Sequence, residues 1–331
     1  MKFISNEGLS RWLKSLMERG ALIAPVDLEP GLTIFSQVVD AKDVNLGYET
    51  TPIPPKALFF PSSETMFKFS PKRGYEIPKI EGDAFLLGIH PCDALGIRLM
   101  DFPFLSPPAD PRYEERRKRT TLIGLGCTES RPECFCTSFG IGPMDPSNVD
   151  AFLIPAPGGF LVEAKTEKGI RALASARLEE ASIPAPPPPD IPPMDVESIR
   201  KVALSLFDSP YWGRLADRCL SCKLCAYVCP SCYCFDIRDY PLREGAERIR
   251  SWDSCLSPLF ARQASGYDPR QTKASRIRNR FYHKFSYFPD EFGSFGCTGC
   301  GRCVRYCPVN IDIREILSAV LKGEVKVAGR T

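Results

Sequence analysis

Two segments of the chain repeat one spacing of cysteines, C-x2-C-x2-C-x3-C, and each repeat is followed by a proline. The first repeat comprises Cys219, Cys222, Cys225 and Cys229, and the second comprises Cys297, Cys300, Cys303 and Cys307. Each repeat puts three thiols on a short loop and a fourth three residues further on, which is the ligand pattern of paired [4Fe-4S] clusters. A structural zinc site uses four ligands as two separated pairs, so zinc explains the compact repeat less well.

The fourth thiolate of such a repeat binds the cluster of the other repeat. We therefore assign Cys219, Cys222, Cys225 and Cys307 to one cluster, and Cys297, Cys300, Cys303 and Cys229 to a second. Cys232 lies close enough to Pro230 to replace Cys229 as a ligand, but only Cys229 reproduces the repeat.

The composition indicates that the fifteen cysteines serve chemistry rather than disulfide stapling. A chain of 331 residues with 44% hydrophobic residues is long enough for two domains with their own cores. Its first residues show no secretory signal, and no apolar run is long enough to span a membrane. The sequence thus predicts a cytoplasmic protein, in which cysteine clusters are metal or redox sites. The net charge of +3 is too small to indicate a nucleic-acid or membrane partner.

The clearest internal boundary is the segment IPAPPPPDIPPMD, residues 183–195, which contains seven prolines. Proline fixes φ and removes a backbone donor, so this segment predicts a semi-rigid linker. Residues 1–182 contain apolar runs of strand type and two helical patterns, which predict a mixed α/β domain. Residues 196–331 show mostly helical spacing of apolar residues and predict a mostly helical domain with two [4Fe-4S] clusters.

Four more cysteines lie in the predicted α/β domain, namely Cys92, Cys127, Cys134 and Cys136. The first two each follow an apolar run, DAFLLGI and TTLIGLG, that predicts a strand. If these strands are parallel, both thiols emerge at the same carboxyl edge of the sheet, where α/β proteins build their sites. The other two come from the next loop. The sequence thus predicts a third [4Fe-4S] cluster, with zinc or simple packing of the cysteines as alternatives.

Three cysteines remain, Cys232, Cys234 and Cys255. Three thiols are one short of the four that hold a cubane. They could bind a cluster with an open iron, form a redox-active pair, or pack against the two ferredoxin-type clusters, and packing is our interpretation.

Two polar features have competing interpretations. The segment KASRIRNRFYHKF, residues 273–285, is basic and aromatic, a composition that suits binding of single-stranded nucleic acid. Cations near a cluster also raise its reduction potential. The weak net charge of the chain favours this second role, beside a cluster, over nucleic-acid binding. His90 and Asp93 flank Cys92, where they could tune or bind a cluster. We interpret Asp93 as the N-cap of a helix over residues 93–101.

The sequence shows no Ser/His/Asp arrangement, no dinucleotide fingerprint and no Walker-type GK[ST] motif. Any flavin or nicotinamide is therefore expected on another chain. These features predict a non-catalytic carrier that receives electrons from one protein and passes them to another.

The two cysteine repeats and the long segment between them resemble the helical two-cluster ferredoxin domains of succinate dehydrogenase iron-sulfur subunits and of heterodisulfide reductase. Further strings are similar to those of the β subunits of the hydrogenase and sulfur reductase family, which also includes an iron-sulfur component of anaerobic sulfite reductase. These strings are GIHPCD (88–93), GCTESRPECFCTSFG (126–140), CPSCYCFD (229–236), WDSC (252–255), HKFSY (283–287) and GCTGCGRCVRYCPVNIDIREI (296–316).

The resemblance implies an iron-sulfur electron-transfer subunit of an anaerobic oxidoreductase complex. One implied partner is a flavin- and NAD(P)H-binding subunit. The other is a terminal subunit of hydrogenase, sulfur or sulfite reductase, or heterodisulfide reductase type. In a second interpretation the cluster of the first domain itself acts on a sulfur substrate, which requires an iron with an open coordination position. A third interpretation is an iron-sulfur protein that processes nucleic acid.

Overall fold

The computed structural model describes residues 1–203 and 206–322, which form two compact units. Each unit is assembled from separate segments of the chain. The first contains residues 1–59, 80–193 and 298–300, and the second contains residues 60–79, 194–297 and the chain from residue 301 onward. The predicted second domain also includes residues 204–205 and 323–331, which lie outside the described residues.

The described residues form twelve strands and eleven α-helices. The strands are β1 (Lys2–Ser5), β2 (Ala21–Glu29), β3 (Leu32–Gln37), β4 (Ser63–Ser70), β5 (Gly74–Glu76), β6 (Ala84–Ile89), β7 (Thr120–Leu125), β8 (Ala151–Ala156), β9 (Gly159–Ala164), β10 (Glu179–Glu180), β11 (Phe235–Leu242) and β12 (Gly245–Trp252). The α-helices are α1 (Asn6–Arg19), α2 (Pro91–Leu105), α3 (Pro111–Arg119), α4 (Glu167–Leu173), α5 (Val196–Ala203), α6 (Tyr211–Arg218), α7 (Leu224–Tyr227), α8 (Lys273–Tyr282), α9 (Phe288–Phe292), α10 (Arg302–Arg305) and α11 (Ile313–Leu321).

The first unit is built on an eight-stranded mixed sheet in the order β10-β1-β9-β8-β7-β6-β2-β3. Strands β2, β6, β7 and β8 are parallel neighbours, and the remaining pairs are antiparallel. Strands β6 and β7 are almost entirely buried, which explains why their sequences are continuous apolar runs instead of alternating ones. The predicted mixed α/β character of this part of the chain is confirmed.

The core of the first unit holds the carboxyl ends of its parallel strands in place. Trp12 of α1 is buried and donates from its indole nitrogen to the Ala172 carbonyl of α4 at 2.8 Å. Leu87 on β6 and Ile123 on β7 belong to the same hydrophobic cluster. The apolar run ALFF at residues 57–60 is one of the runs that predict a strand in the α/β half, and this prediction is wrong. The chain there begins with a 3-10 helix, Pro55–Leu58, that starts directly after Pro54.

The second unit contains strands as well as helices, so the prediction of a mostly helical domain describes only part of it. A four-stranded antiparallel sheet has the order β11-β12-β4-β5. Its inner strands pair over most of their length, and the buried Arg250 of β12 donates to Glu64 of β4 at 2.6 Å. Both side chains are almost completely shielded from solvent, so each needs the other's charge. Strand β4 comes from residues that the sequence placed in the α/β half.

Helices α5, α6, α8 and α11 are the longest helices among the described residues of the second unit, and α6 packs against α8 while α5 packs against α11. The Trp212 ring on α6 packs against Phe281 and Tyr282 on α8, with ring centroids 5.4 and 5.8 Å apart. After α8 the backbone widens into a π-helix over His283–Tyr287 before α9 begins. A π-helical turn is rare and often lies at a functional site. No helix in residues 1–203 and 206–322 is long and apolar enough to cross a membrane.

The proline-rich segment has no regular secondary structure between residues 181 and 195. It is nevertheless partly packed, because Ile191 is buried against Cys136 and Ile141 in the first unit. The Thr137 hydroxyl donates to the Ile191 carbonyl at 2.8 Å. The segment therefore adds a wall to the first unit in addition to any role as a linker.

Candidate metal centres

The two cysteine repeats share an unusual backbone as well as a spacing. In the first repeat, Ser221 and Lys223 on either side of Cys222 have positive φ values of 55° and 67°. In the second repeat, Gly299 and Gly301 occupy the same two positions with φ of 65° and 75°. Left-handed residues in a turn aim consecutive backbone N–H groups at one point and create an anion-binding concavity. Each repeat then continues into a single helical turn, α7 or α10.

Backbone amides already point at two of the predicted ligand thiols. The Ser221 amide donates to Cys219 Sγ at 3.3 Å, and the Ile311 amide donates to Cys307 Sγ at 3.2 Å. Hydrogen bonds to sulfur favour the thiolate over the thiol and stabilise a reduced cluster. The repeats are thus folded as thiolate-binding loops.

An apolar cavity of about 80 Å³ in the second unit collects thiols from both repeats. Cys219, Cys222 and Cys225 line it together with Cys307, which is the set that the sequence assigned to the first cluster, and Cys303 also reaches it. The rest of the wall is largely aliphatic, with Ile277, Phe281, Ile311, Ile313 and Ile316 among its residues. Burial raises the pKa of the Cys225 thiol above its ordinary value, so a bound cation is needed to hold it as a thiolate.

The second predicted ligand set is divided between the two units. Cys229 and Cys297 are buried in the second unit, and both lie near enough to Lys284 to raise its pKa. Cys303 has the same effect on the pKa of Arg280. Cys300 belongs to the first unit. The assignment of Cys297, Cys300, Cys303 and Cys229 to one cluster stays a prediction.

Two buried cations face the thiols of the second unit. Lys284, in the π-helix, is only 3% exposed, and its Nζ donates to Cys229 Sγ at 3.4 Å, to Ser231 Oγ at 3.2 Å and to the Gly296 carbonyl at 2.6 Å. Arg280 on α8 is 9% exposed and donates to the Cys225 carbonyl at 2.7 Å, while its Nε has no hydrogen-bond partner. Neither cation has a carboxylate partner among the described residues.

Sulfur provides the counter-charge for these cations. Burial lowers the pKa of Lys284, but the negative charge that Cys229 and Cys232 carry when ionised raises it by more, so the net shift is upward. The pKa of Arg280 is shifted upward in the same way by Cys225 and Cys232. A buried positive charge needs an anion nearby. Thiolates with a bound cluster supply that anion, so the donor set and the cations fit [4Fe-4S] clusters.

The basic segment at residues 273–285 points mainly into the protein. Arg276, Arg280 and Lys284 are buried, and Lys273 donates to the Cys219 carbonyl at 2.9 Å. Arg278 stacks 3.6 Å from the ring centroid of Phe207. These contacts agree with the interpretation that the segment serves the thiol sites.

A second and larger cavity, of about 260 Å³, lies in the first unit at the carboxyl ends of β6 and β7. The two strands are parallel, which is the condition that the prediction required, so Cys92 in the first turn of α2 and Cys127 after β7 reach the same edge. Cys134 and Cys136 from the following loop and Cys300 line the same cavity. The structure therefore brings together all four cysteines of the predicted third site and adds a fifth thiol that the sequence had assigned elsewhere.

Arg131 ties the loops around this cavity to one another. Its guanidinium donates to Cys134 Sγ at 3.7 Å and to the Cys300 carbonyl at 3.2 Å. The Phe135 amide also donates to the Gly299 carbonyl at 2.9 Å. Burial, followed by the charges of the other thiols, raises the pKa of Cys127 to about 12 and that of Cys136 to about 11. These thiols ionise near neutral pH only when a metal displaces the proton.

Asp93 does not have the capping role that the sequence predicted, and His90 lies at the cavity of the first unit. Helix α2 begins at Pro91, two residues earlier than expected, and His90 occupies the N-cap position without a side-chain capping bond. Asp93 is fully buried in the first helical turn and is therefore not the N-cap. His90 lines the cavity and stacks on Tyr48 with ring centroids 4.5 Å apart.

Gly299→Ala is expected to destabilise the cavity of the first unit. A Cβ at this position would lie 2.4 Å from the Phe135 carbonyl oxygen and 2.5 Å from Cys136 Cα, in a left-handed backbone. Left-handed strain costs about 1–2 kcal/mol, and overpacking adds about 1–3 kcal/mol. Thermal unfolding of the metal-loaded protein measures the loss.

Gly140→Ala is the matched control, because Gly140 has φ of 73° but nothing within 4 Å of the added Cβ. It should show the strain alone. Equal destabilisation by the two variants would contradict the close approach between residues 299 and 135–136.

The remaining thiols form contacting pairs. The Cys255 thiol is hydrogen-bonded to the Cys234 thiol, and the Cys232 thiol to that of Cys229. No disulfide joins any of the fifteen cysteines, all of which lie within the described residues. In residues 1–203 and 206–322, no three His, Cys, Asp or Glu side chains are grouped to hold one metal ion. Cubane ligands each bind a different iron and stand further apart than ligands of a single ion.

Comparison with known proteins places these sites in a family. A 4Fe-4S dicluster domain model matches residues 218–311, which contain both repeats. The chain is 32% identical over 340 residues to Sulfhydrogenase 2 subunit beta of Pyrococcus furiosus, and the match covers 97% of this chain and 98% of that protein. No solved structure matches the chain. The match confirms the family that the motif strings predicted: the chain belongs to the β subunits of the hydrogenase and sulfur reductase family, with a 4Fe-4S domain.

Proposed function

We propose that this chain relays electrons inside a cytoplasmic oxidoreductase complex. It would connect a flavin- and NAD(P)H-binding subunit with a terminal subunit of hydrogenase, sulfur or sulfite reductase, or heterodisulfide reductase type. The relay uses two [4Fe-4S] clusters on the repeats and a third on Cys92, Cys127, Cys134 and Cys136. The relative's name, a sulfhydrogenase subunit, supports membership of a complex with other redox subunits.

The observation that carries this proposal is the convergence of Cys219, Cys222, Cys225 and Cys307 on one cavity. The repeats are separated by the β11–β12 hairpin and by α8, so only the folded chain brings the fourth thiol to the first three. The wall around them is largely apolar, and a low local dielectric strengthens the interactions of the thiolates with nearby amide donors and cations. Bound clusters supply one-electron chemistry, and the chain supplies thiolates, amide donors and buried cations.

The proposal predicts about twelve irons and twelve acid-labile sulfides per chain in anaerobically purified protein, since each cubane carries four of each. Low-temperature EPR during stepwise reduction should show three reducible signals. A Cys127→Ser variant should lose about four irons and one signal. About eight irons in the wild-type protein would confine electron transfer to the two repeats, and the thiols of the first unit would then be zinc ligands or packing residues.

A second function is favoured by the size of the first unit's cavity. Its volume is about 260 Å³, compared with about 80 Å³ for the cavity in the second unit. This volume leaves space for a small sulfur substrate beside a cluster with an open iron position. Addition of sulfite to the reduced protein distinguishes the two roles. A change in the EPR signal that Cys127→Ser removes favours substrate chemistry, whereas an unchanged signal favours the relay.

A further inference from the structure

The β11–β12 hairpin places two cysteines at its open end. Its register pairs Phe235 with Trp252, so Cys234 comes directly before one strand and Cys255 follows shortly after the other. The ladder extends past the strands, because the Asp253 amide donates to the Cys234 carbonyl at 2.9 Å. The two thiols are hydrogen-bonded to each other. Two thiols in contact need only a small movement to form a disulfide.

The pair lies beside the first predicted cluster. Leu256, which directly follows Cys255 in the sequence, lines the same cavity as Cys219, Cys222 and Cys225. Cys255 is buried, and Cys234 is partly exposed. The two contacting thiols thus lie near the predicted site of a one-electron carrier.

The same contacts argue against a further cubane at these residues. Of the leftover thiols, Cys232 is hydrogen-bonded to Cys229. A cubane needs a fourth thiolate in addition to Cys232, Cys234 and Cys255. The nearby thiols of Cys225 and Cys229 are those that the repeat assigns to the two ferredoxin-type clusters. A dithiol needs only the two residues that the hairpin register brings together.

We propose that Cys234 and Cys255 are a redox-active dithiol that exchanges two electrons with the clusters of the two repeats. Oxidation forms one S–S bond, breaks two S–H bonds, and releases two protons to solvent and two electrons. Two oxidised [4Fe-4S] clusters accept these electrons, one each. Reduction reverses each of these changes. This proposal rests on the presence of the two clusters.

Such a pair would let a chain of one-electron carriers hold two electrons together at one position. Hydride donors of the nicotinamide class deliver two electrons at a time, and cubanes carry one. A dithiol whose reduction potential lies near those of the clusters would link two-electron donors to one-electron carriers, because it takes up two electrons and passes them on one at a time.

The test is an anaerobic reductive titration that counts electrons taken up per chain, combined with peptide mapping of cysteines. Oxidised wild-type protein should take up two electrons more than its number of clusters, and denaturation in alkylating agent and chelator should yield a Cys234–Cys255 linked peptide. Reduced protein should yield both residues alkylated. Cys234→Ser and Cys255→Ser should each lose the two additional electrons while their iron content stays at the wild-type value. Cys232→Ser, the matched control, should retain both electrons.

Two results would overturn the dithiol. One is alkylation of Cys234 and Cys255 in the oxidised protein with no linked peptide. The other is the loss of about four irons in Cys234→Ser, which would make these thiols ligands of a further cluster. Either result leaves the relay intact, whereas wild-type protein without iron on the two repeats would contradict the relay itself.

Discussion

Replacing Cys307 by serine is expected to remove the cluster held by Cys219, Cys222 and Cys225, and to lower the iron content by about four per chain. Cys307 belongs to the second repeat in sequence, but its side chain lines the cavity of the first three residues. Its thiol already accepts a hydrogen bond from the Ile311 amide at 3.2 Å, so it is held in position. Iron and sulfide analysis with EPR of the stepwise reduced protein measures the loss.

Reference variants identify which cluster has gone. Cys222→Ser removes a ligand of the first repeat, and Cys297→Ser removes one of the second. If Cys307→Ser abolishes the same EPR signal as Cys222→Ser, the fourth ligand crosses between repeats. Loss of the signal that Cys297→Ser abolishes would show that each repeat holds its own cluster. Cys229→Ser should give the complementary result, with loss of the signal that depends on Cys297.

The sequence was most informative where covalent spacing alone determines chemistry. Three thiols within seven residues meet on one loop in any fold, so the repeats were recognisable without a structure. The convergence of Cys92 and Cys127 also followed from local pattern, because each comes after a buried strand and parallel strands end at one edge. The cysteine repeats needed no knowledge of distant contacts, whereas the convergence of Cys92 and Cys127 depended on the parallel pairing of β6 with β7.

The sequence was less informative where contacts between distant segments decide the outcome. The β11–β12 hairpin was missed because β11 is largely exposed, so its sequence FDIRDYPL lacks a buried apolar run. Its partner β4 comes from residues 63–70, far away in the chain. Cys300 reaches the first unit's cavity through the close approach of Gly299 to Phe135, which no spacing encodes. The early start of α2 had a local signal, since proline is favoured in the first turn, but Asp93 was the more obvious cap.

Buried cations are a further case in which the structure adds what composition only suggests. The segment at residues 273–285 is basic as a whole, yet only some of its charges face thiols. Helical spacing puts Arg280 and Lys284 on the same face, four residues apart, and the π-helix keeps Lys284 directed at Cys229. This arrangement makes Lys284 the residue whose charge is best placed to set a cluster potential.

Replacing Lys284 by methionine is expected to lower the reduction potential of the cluster that includes Cys229 by about 60–130 mV. The ammonium donates to Cys229 Sγ at 3.4 Å from a buried position, and a positive charge stabilises the reduced, more negative cluster. A hydrogen bond to a charged group is worth about 1.5–3 kcal/mol, and about 1.4 kcal/mol corresponds to about 59 mV for one electron. Methionine has a similar length and no charge. The Gly296 carbonyl remains satisfied by Ser231 Oγ at 2.8 Å, so the variant leaves this acceptor paired.

The measurement is a potentiometric EPR titration of the signal that Cys229→Ser removes. Lys72→Met is the matched control, since it removes the same charge from an exposed side chain that pairs with Glu244, and it should leave the potential unchanged. Lys284→Arg keeps the charge and should keep the potential near that of the wild-type protein. A Lys284→Met potential equal to that of the control, or higher than wild type, would mean that the backbone amides of the loops set the potential and that Lys284 serves only to neutralise the buried thiolates. That outcome would separate two roles of a buried cation. One role is to neutralise the buried thiolates in the folded protein, and the other is to stabilise the extra negative charge of the reduced cluster.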